Sequence, residues 1–274
     1  MLTTDTGPGA AAAVRLDRRE DGVVTLTLDD PGRRNAMTES MGDALEEAAR
    51  SLTTDPDVRA VVVTGAPPAF SAGGDLGMLE ELARRTREEG FDAADTMRGF
   101  YRRFLAVRTI PVPVVAAING HAIGAGLCVA LACDLRIVAA EAKVGLNFAR
   151  LGLHPGMAGS WLLPRSVGYQ RAAELLYTGR IVTGGEAAAA GLALESRPAG
   201  EVLEAALTLA GEIAAASPIV VRQLKQTLAT MERATLDEAL DREAACQAES
   251  YGTEDLREGL AAARERRTPR FPGR

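Results

Sequence analysis

The stretch Asn119-Gly-His-Ala-Ile-Gly-Ala-Gly-Leu-Cys-Val-Ala-Leu-Ala-Cys-Asp134 constrains the fold of this chain more than any other. It follows Pro113-Val-Val-Ala-Ala-Ile118, an apolar run that reads as a buried strand. Gly120, Gly124 and Gly126 come next, and then an alanine-rich apolar segment of helical length. A strand that ends in glycines and opens a helix leaves backbone N–H groups without partners at the helix start. Glycines also let a ligand approach the backbone closely. Such a site favours an anion, or an oxygen that is becoming one. The spacing is neither G-x-G-x-x-G nor a phosphate-binding loop, because no Gly-Lys-Ser/Thr follows. The oxyanion reading therefore stands ahead of the nucleotide one, and a tight strand-to-helix turn with close packing is its structural alternative.

A chain of 274 residues suggests one large domain, or a domain with a small appendage. Its 47% hydrophobic content suffices for a full core. A net charge of −6 argues against nucleic-acid binding, and no apolar run reaches membrane-spanning length. The first residues carry neither a basic nor an apolar signal region, so residues 1–13 are expected to be a disordered tail and the setting cytoplasmic. Three cysteines, Cys128, Cys133 and Cys246, form neither a disulfide framework nor a metal spacing, and two histidines are too few for a zinc site.

Along the chain, Val14 to Leu28 holds two short strands split by Asp21-Gly22. Asp29 to Ala36 is a loop, and Thr38 caps a helix that carries Met41, Ala44, Leu45 and Ala48 on one face. Arg59 to Thr64 reads as a fully buried strand. A second glycine site, Ala69-Phe-Ser-Ala-Gly-Gly-Asp-Leu76, comes after it. Leu79 to Arg108 is charged and helical in pattern, broken near Gly90, and is a candidate mobile wall of a pocket. Asp134 to Ala139 is another strand, and Val144 to Gly159 is rich in loops. Helices are expected at Arg171–Tyr177 and Gly184–Ala190, a short strand at Leu192 and Leu194, and a turn at Pro198-Ala-Gly200. Beyond Glu201 the pattern is almost all helix, restarted at Pro218 and capped again at Thr235. Strands alternating with helices, followed by helices alone, predict an α/β core (14–200) with a helical C-terminal region (201–274).

Taken together, these motifs resemble the crotonase superfamily, the enoyl-CoA hydratase/isomerase family, from about Val14 to Arg274. The resemblance rests on Asn35-Ala36 after Pro31, on Ala69 to Leu76, and on Asn119 to Gly126 with Cys133-Asp134. Further matches are Leu151-Gly-Leu-His-Pro-Gly156, and Thr253 to Gly259 with Glu265-Arg-Arg. It implies a crotonase (ClpP-like) spiral of repeated ββα units with a helical trimerisation region, assembled as a trimer or a dimer of trimers. It implies a lyase or isomerase acting on a CoA thioester, as in fatty acid metabolism, with coenzyme A as part of the substrate and no prosthetic group. The family's two oxyanion-hole amides fall on Gly74 and Ala125. Contacts to CoA fall on Arg33, Arg34, Ala36, Ala72, Asp75, Leu76 and Arg266, although the aromatic expected shortly before Arg266 is replaced by Ala263.

The chain departs from the family where hydratases place two glutamates that handle water. The first position, three residues after the second donor, is Cys128; the second aligns with Phe148. Neither replaces a carboxylate, so hydration as the family performs it should be slow or absent, and an apolar acyl end suits proton shuffling, hydrolysis or C–C chemistry better. Cys128 sits where a helix dipole would lower its pKa, but a small buried core residue is the favoured reading. His154 is a candidate base near the acyl end, with a plain loop histidine as the favoured alternative. His121 is expected to satisfy backbone groups, and Glu80 and Glu81 to form a solvated face. Three readings stay open: an acyl-CoA enzyme without the glutamate pair, a hydratase/isomerase whose acid/base group lies elsewhere, and a non-catalytic CoA-thioester-binding protein.

Overall fold

A computed structural model describes residues 13–230 and 234–274. The expected N-terminal tail thus lies, apart from Ala13, outside the described residues. The hairpin forms as expected: β1 (Val14–Arg18) pairs antiparallel with β2 (Val23–Leu28). Thr38 accepts a hydrogen bond from the Met41 amide and so opens α1 (Glu39–Thr54), which buries Met41, Leu45, Ala48, Ala49 and Leu52. Then come β3 (Ala60–Gly65), β4 (Ala69–Ser71), α2 (Leu76–Arg85) and α3 (Ala93–Leu105). The opening stretch supplies β5 (Val114–Ile118), β6 (His121–Ile123) and α4 (Ala125–Ala132). After these lie β7 (Leu135–Ala139), β8 (Lys143–Gly145), α5 (Gly159–Val167), α6 (Tyr169–Thr178), β9 (Val182–Thr183), α7 (Gly184–Ala189) and β10 (Glu195–Arg197). The chain closes with α8 (Ala199–Ala214), α9 (Pro218–Thr230), α10 (Leu236–Tyr251) and α11 (Glu254–Glu265).

Two sheets organise these elements. The larger has the order β1-β2-β3-β5-β7-β10 and is parallel from β2 onward; the smaller has the order β4-β6-β8-β9. Each of the pairs β3/β4, β5/β6 and β7/β8 sends its first strand to the large sheet and its second to the small one, and a helix follows. This is the repeated ββα unit. Every residue of β3 and β5 is buried, so the apolar runs have no polar face to alternate with. α8 lies across β3, β5 and β7 and buries Val202, Ala206, Ala210 and Ala214 there. Small side chains on that face let the helix axis come close to the sheet.

Residues 159–167, which follow the loop-rich stretch and carried no expectation from sequence, form a helix, α5, in which the burial of Leu162 and Leu163 outweighs the penalty of Pro164. Two local expectations need correction. The last strand begins at Glu195, not at Leu192: Leu192 is buried in the preceding turn and Leu194 is largely exposed. Pro198-Ala-Gly200 is the start of α8 and not a turn, with Pro198 at the N-cap.

Candidate active site

The cleft is built where the two glycine sites meet. Gly73 has φ 91°, a conformation that costs any L side chain strain, and a β-carbon there would stand 2.4 Å from the Ile123 carbonyl oxygen. That close approach brings the chain after β4 against the start of α4. Gly126 makes the second: a β-carbon on it would stand 2.6 Å from the Ser71 carbonyl oxygen. Two amides result with no acceptor among the described residues, those of Gly74 and Ala125, and both line one cleft of about 600 Å³. Ala125 is the first residue of α4, so its N–H also carries the positive end of the helix dipole. The neighbouring Gly124 amide is already used, donating to the Gly145 carbonyl.

A buried asparagine holds this geometry. The Asn35 side chain accepts from the Asp30 amide and donates to the carbonyls of Ala66 and Ala69 at 2.8 Å. Its own carbonyl accepts from Ser71 Oγ at 2.7 Å, and Ser71 Oγ in turn accepts from the Gly73 amide. The Ala72 amide donates to the Arg34 carbonyl and the Met37 amide to the Gly73 carbonyl. The loop from Asp30 to Met37 is thereby locked to the strand that presents Gly74. Asn35 and Ser71 entered the sequence analysis only as parts of the family's motifs, with no role given to either side chain, because a polar residue in a loop looks solvated until its burial is known.

The cleft gathers Arg33, Ala36, Ala72, Gly74, Asp75, Leu76, Ala125 and Phe148. Arg33 donates from Nε to Asp30 at 2.8 Å, and Asp75 caps α2 by accepting from the Met78 amide. Phe148 packs over Gly124, its Cζ 3.7 Å from where a β-carbon there would stand. Four other candidates lie apart. Arg34 is exposed and in left-handed backbone, and contributes its carbonyl. Arg266 is exposed at the C-cap of α11 and outside the cleft of this chain. His154 is exposed, its Nδ1 donating to the adjacent Pro155 carbonyl at 2.9 Å, so it does not reach the acyl end. Cys128 is wholly buried behind the cleft wall, with Sγ 3.5 Å from the Gly156 carbonyl oxygen. Burial pushes its thiol up to about 12, so desolvation outweighs the helix dipole that suggested an activated thiol. His121 accepts from the Lys143 amide, and Glu81 is paired with Arg84.

The rest of the wall is apolar: Met78, Leu79, Met97, Phe100, Leu151, Leu153 and Met157. Tyr101 and Asn147 also line it, and neither was identified from sequence. α3, which the sequence marks as a wall, contributes Met97, Phe100 and Tyr101, and Phe100 stacks on Phe104 with ring centroids 4.8 Å apart.

Comparison with known proteins gives a consistent result. The enoyl-CoA hydratase/isomerase family model matches residues 18–274. The chain is 41% identical over 250 residues to a probable enoyl-CoA hydratase of Mycobacterium tuberculosis, covering 89% of this chain and 94% of that one. It is 34% identical over 263 residues to the human mitochondrial methylglutaconyl-CoA hydratase, covering 94% and 76%. Among solved structures, an enoyl-CoA hydratase from Bacillus anthracis superposes with a TM-score of 0.86 at 32% identity, over 96% of this chain and 100% of that one.

Proposed function

The chain belongs to the enoyl-CoA hydratase/isomerase family and has its crotonase fold, and from that premise we propose that it is an enzyme that holds the thioester oxygen of an acyl-CoA between the amides of Gly74 and Ala125. The observation that carries this reading is the pair of unpartnered N–H groups on one cleft wall. Loss of an α-proton, or attack at the β-carbon, drives negative charge onto the thioester oxygen. Two fixed donors meet that charge without reorganising, and one such donor is typically worth about 3–4 kcal/mol of barrier. Arg33, beside Ala36 in the same cleft, suits a CoA phosphate.

The acyl end supports a reaction other than plain hydration. Cys128 and Phe148 occupy the two positions where a carboxylate would handle water. Asp75, the carboxylate among the described lining residues, is engaged as a helix cap. A water molecule there has no base to orient it, whereas an enolate retains its donors. Exposed leucines on α9 and α10, namely Leu224, Leu228, Leu236 and Leu240, support assembly with further copies of the chain, as a trimer or a dimer of trimers.

Calorimetry with crotonyl-CoA and a hydration assay test the proposal together. The expected result is binding by the wild-type chain with little hydration, and a gain of hydration in the Cys128→Glu/Phe148→Glu variant. Efficient wild-type hydration overturns the assignment of the acyl end, and absence of binding overturns the acyl-CoA reading. Binding without turnover of any acyl-CoA supports the non-catalytic alternative.

A further inference from the structure

A second cleft, of about 1360 Å³, opens at the other end of the large sheet and shares no lining residue with the first. β3 runs from one to the other: Arg59 precedes it at this cleft, and Ala66 follows it, where Asn35 is bonded. The strand separates them by roughly 20 Å. Among the described residues five arginines line the second cleft, Arg18, Arg19, Arg59, Arg222 and Arg270, on a chain whose net charge is −6. Arg18 is paired with Asp55 and Arg19 with Asp21. Arg270 is exposed, and its charge also acts on Glu258. Arg59 and Arg222 have only carbonyl acceptors among the described residues. The carboxylates of Glu20 and Asp57, which also line the cleft, are exposed and pair with neither.

Backbone groups hold both guanidiniums in place. The Arg59 stem lies on Gly22, φ 82°, where an added β-carbon would stand 2.5 Å from its Cγ, and its Nη2 donates to the Phe271 carbonyl at 3.1 Å. Arg222 reaches from α9 to the loop before β3, its Nη2 donating to the Pro56 and Val58 carbonyls at 3.1 and 3.3 Å. Its Nε is shut off from solvent and has no acceptor among the described residues. A guanidinium carries five N–H donors in a planar fork, so these contacts leave most of them unused. A buried donor without an acceptor is costly, and two half-buried cations in one cleft repel each other. A phosphate group, with three oxygens on one centre, can serve two forks at once and offsets that repulsion. The cleft is far larger than a lone ion, so it has room for a molecule that carries the phosphate.

We propose that this cleft is a second ligand site, separate from the acyl-CoA cleft, that takes a small molecule through a phosphate group held by Arg59 and Arg222. The test uses inorganic pyrophosphate as the probe and citrate as a tricarboxylate control, titrated calorimetrically into the wild-type chain and into Arg33→Gln, Arg59→Gln and Arg222→Gln. Pyrophosphate is expected to bind the wild type, to remain bound in Arg33→Gln, and to bind Arg59→Gln and Arg222→Gln about ten-fold more weakly. Hydrogen exchange of the wild type with and without pyrophosphate locates the site without any substitution: residues 19–24, 56–59 and 269–273 should gain protection, and residues 72–77 should not. Absence of pyrophosphate binding, protection confined to residues 72–77, or binding lost only in Arg33→Gln overturns the inference while leaving the acyl-CoA reading intact. Tighter binding of citrate than of pyrophosphate overturns the assignment of a phosphate.

Discussion

Two adjacent glycines in the cleft should respond oppositely to the same substitution. Gly73 has φ 91°, and a β-carbon added there would lie 2.4 Å from the Ile123 carbonyl oxygen, a backbone atom that cannot rotate away. Left-handed backbone alone costs an L residue about 1–2 kcal/mol. Parting the chain after β4 from the segment before α4 adds to this, so Gly73→Ala should lose at least about 2 kcal/mol of stability. At Gly74 the nearest atom to an added β-carbon is Leu79 Cδ1 at 3.9 Å, ordinary contact, and its φ is not positive. Gly74→Ala should therefore leave stability within about 1 kcal/mol of wild type, with a small gain from the stiffer unfolded chain. Urea unfolding followed by circular dichroism measures both. The displaced Gly74 amide in Gly73→Ala should further lower turnover of whichever acyl-CoA proves to be the substrate by roughly 10²–10³. Equal unfolding midpoints for the two variants would refute the claim that a strained close approach positions the donor.

Two further outcomes follow from ionisation. Burial raises the Cys128 thiol from its ordinary 9.0 to about 12, which lowers its thiolate population at neutral pH about a thousand-fold. Cys128 should thus resist iodoacetamide in the native protein and label only after unfolding, as read by peptide mass spectrometry; native labelling at the rate of the half-buried Cys246 would revive the activated-thiol reading. Glu258 is held at about 2, against an ordinary 4.5, by its hydrogen bonds from the Arg267 guanidinium and the Arg270 amide. A lowered carboxylate pKa adds stability that is complete above 4.5 and disappears as pH falls toward 2. The segment 267–274 should therefore lose amide-exchange protection in that interval, and Glu258→Gln should show the loss already at neutral pH; protection that ignores pH would contradict it.

What could be read from residues alone follows a physical line. Val- and Ala-rich runs such as Val61-Val-Val63 and Val114 to Ile118 have no polar alternation, which marks strands covered on both faces. Caps are local chemistry, so Thr38 and Thr235 were identifiable, the latter with its full Thr235–Glu238 capping box. The helix start at Ala125 was legible because glycines and an apolar run announce it, and the two unpartnered amides lie at the positions, Gly74 and Ala125, that the resemblance implies as donors. Other features depend on long-range burial. α5 carried no expectation, since Leu162 and Leu163 mark a helix only through their burial. Cys128 at a helix start promised a low pKa, and only its enclosure decides the sign. His154 turns outward by the geometry of a loop that spacing does not encode, while Tyr101 was passed over because its place in the cleft wall arises from a contact with Gly156, 55 positions away.

The claim that two backbone amides grip the thioester oxygen is tested most directly by isotope-edited infrared spectroscopy of an acyl-CoA labelled with ¹³C at its thioester carbonyl. Two donors at Gly74 and Ala125 should shift the bound carbonyl stretch to lower frequency than in water, and Gly73→Ala should reverse much of that shift. A bound carbonyl whose frequency equals that of the free ligand in water, in a complex shown by calorimetry to be saturated, would contradict the account.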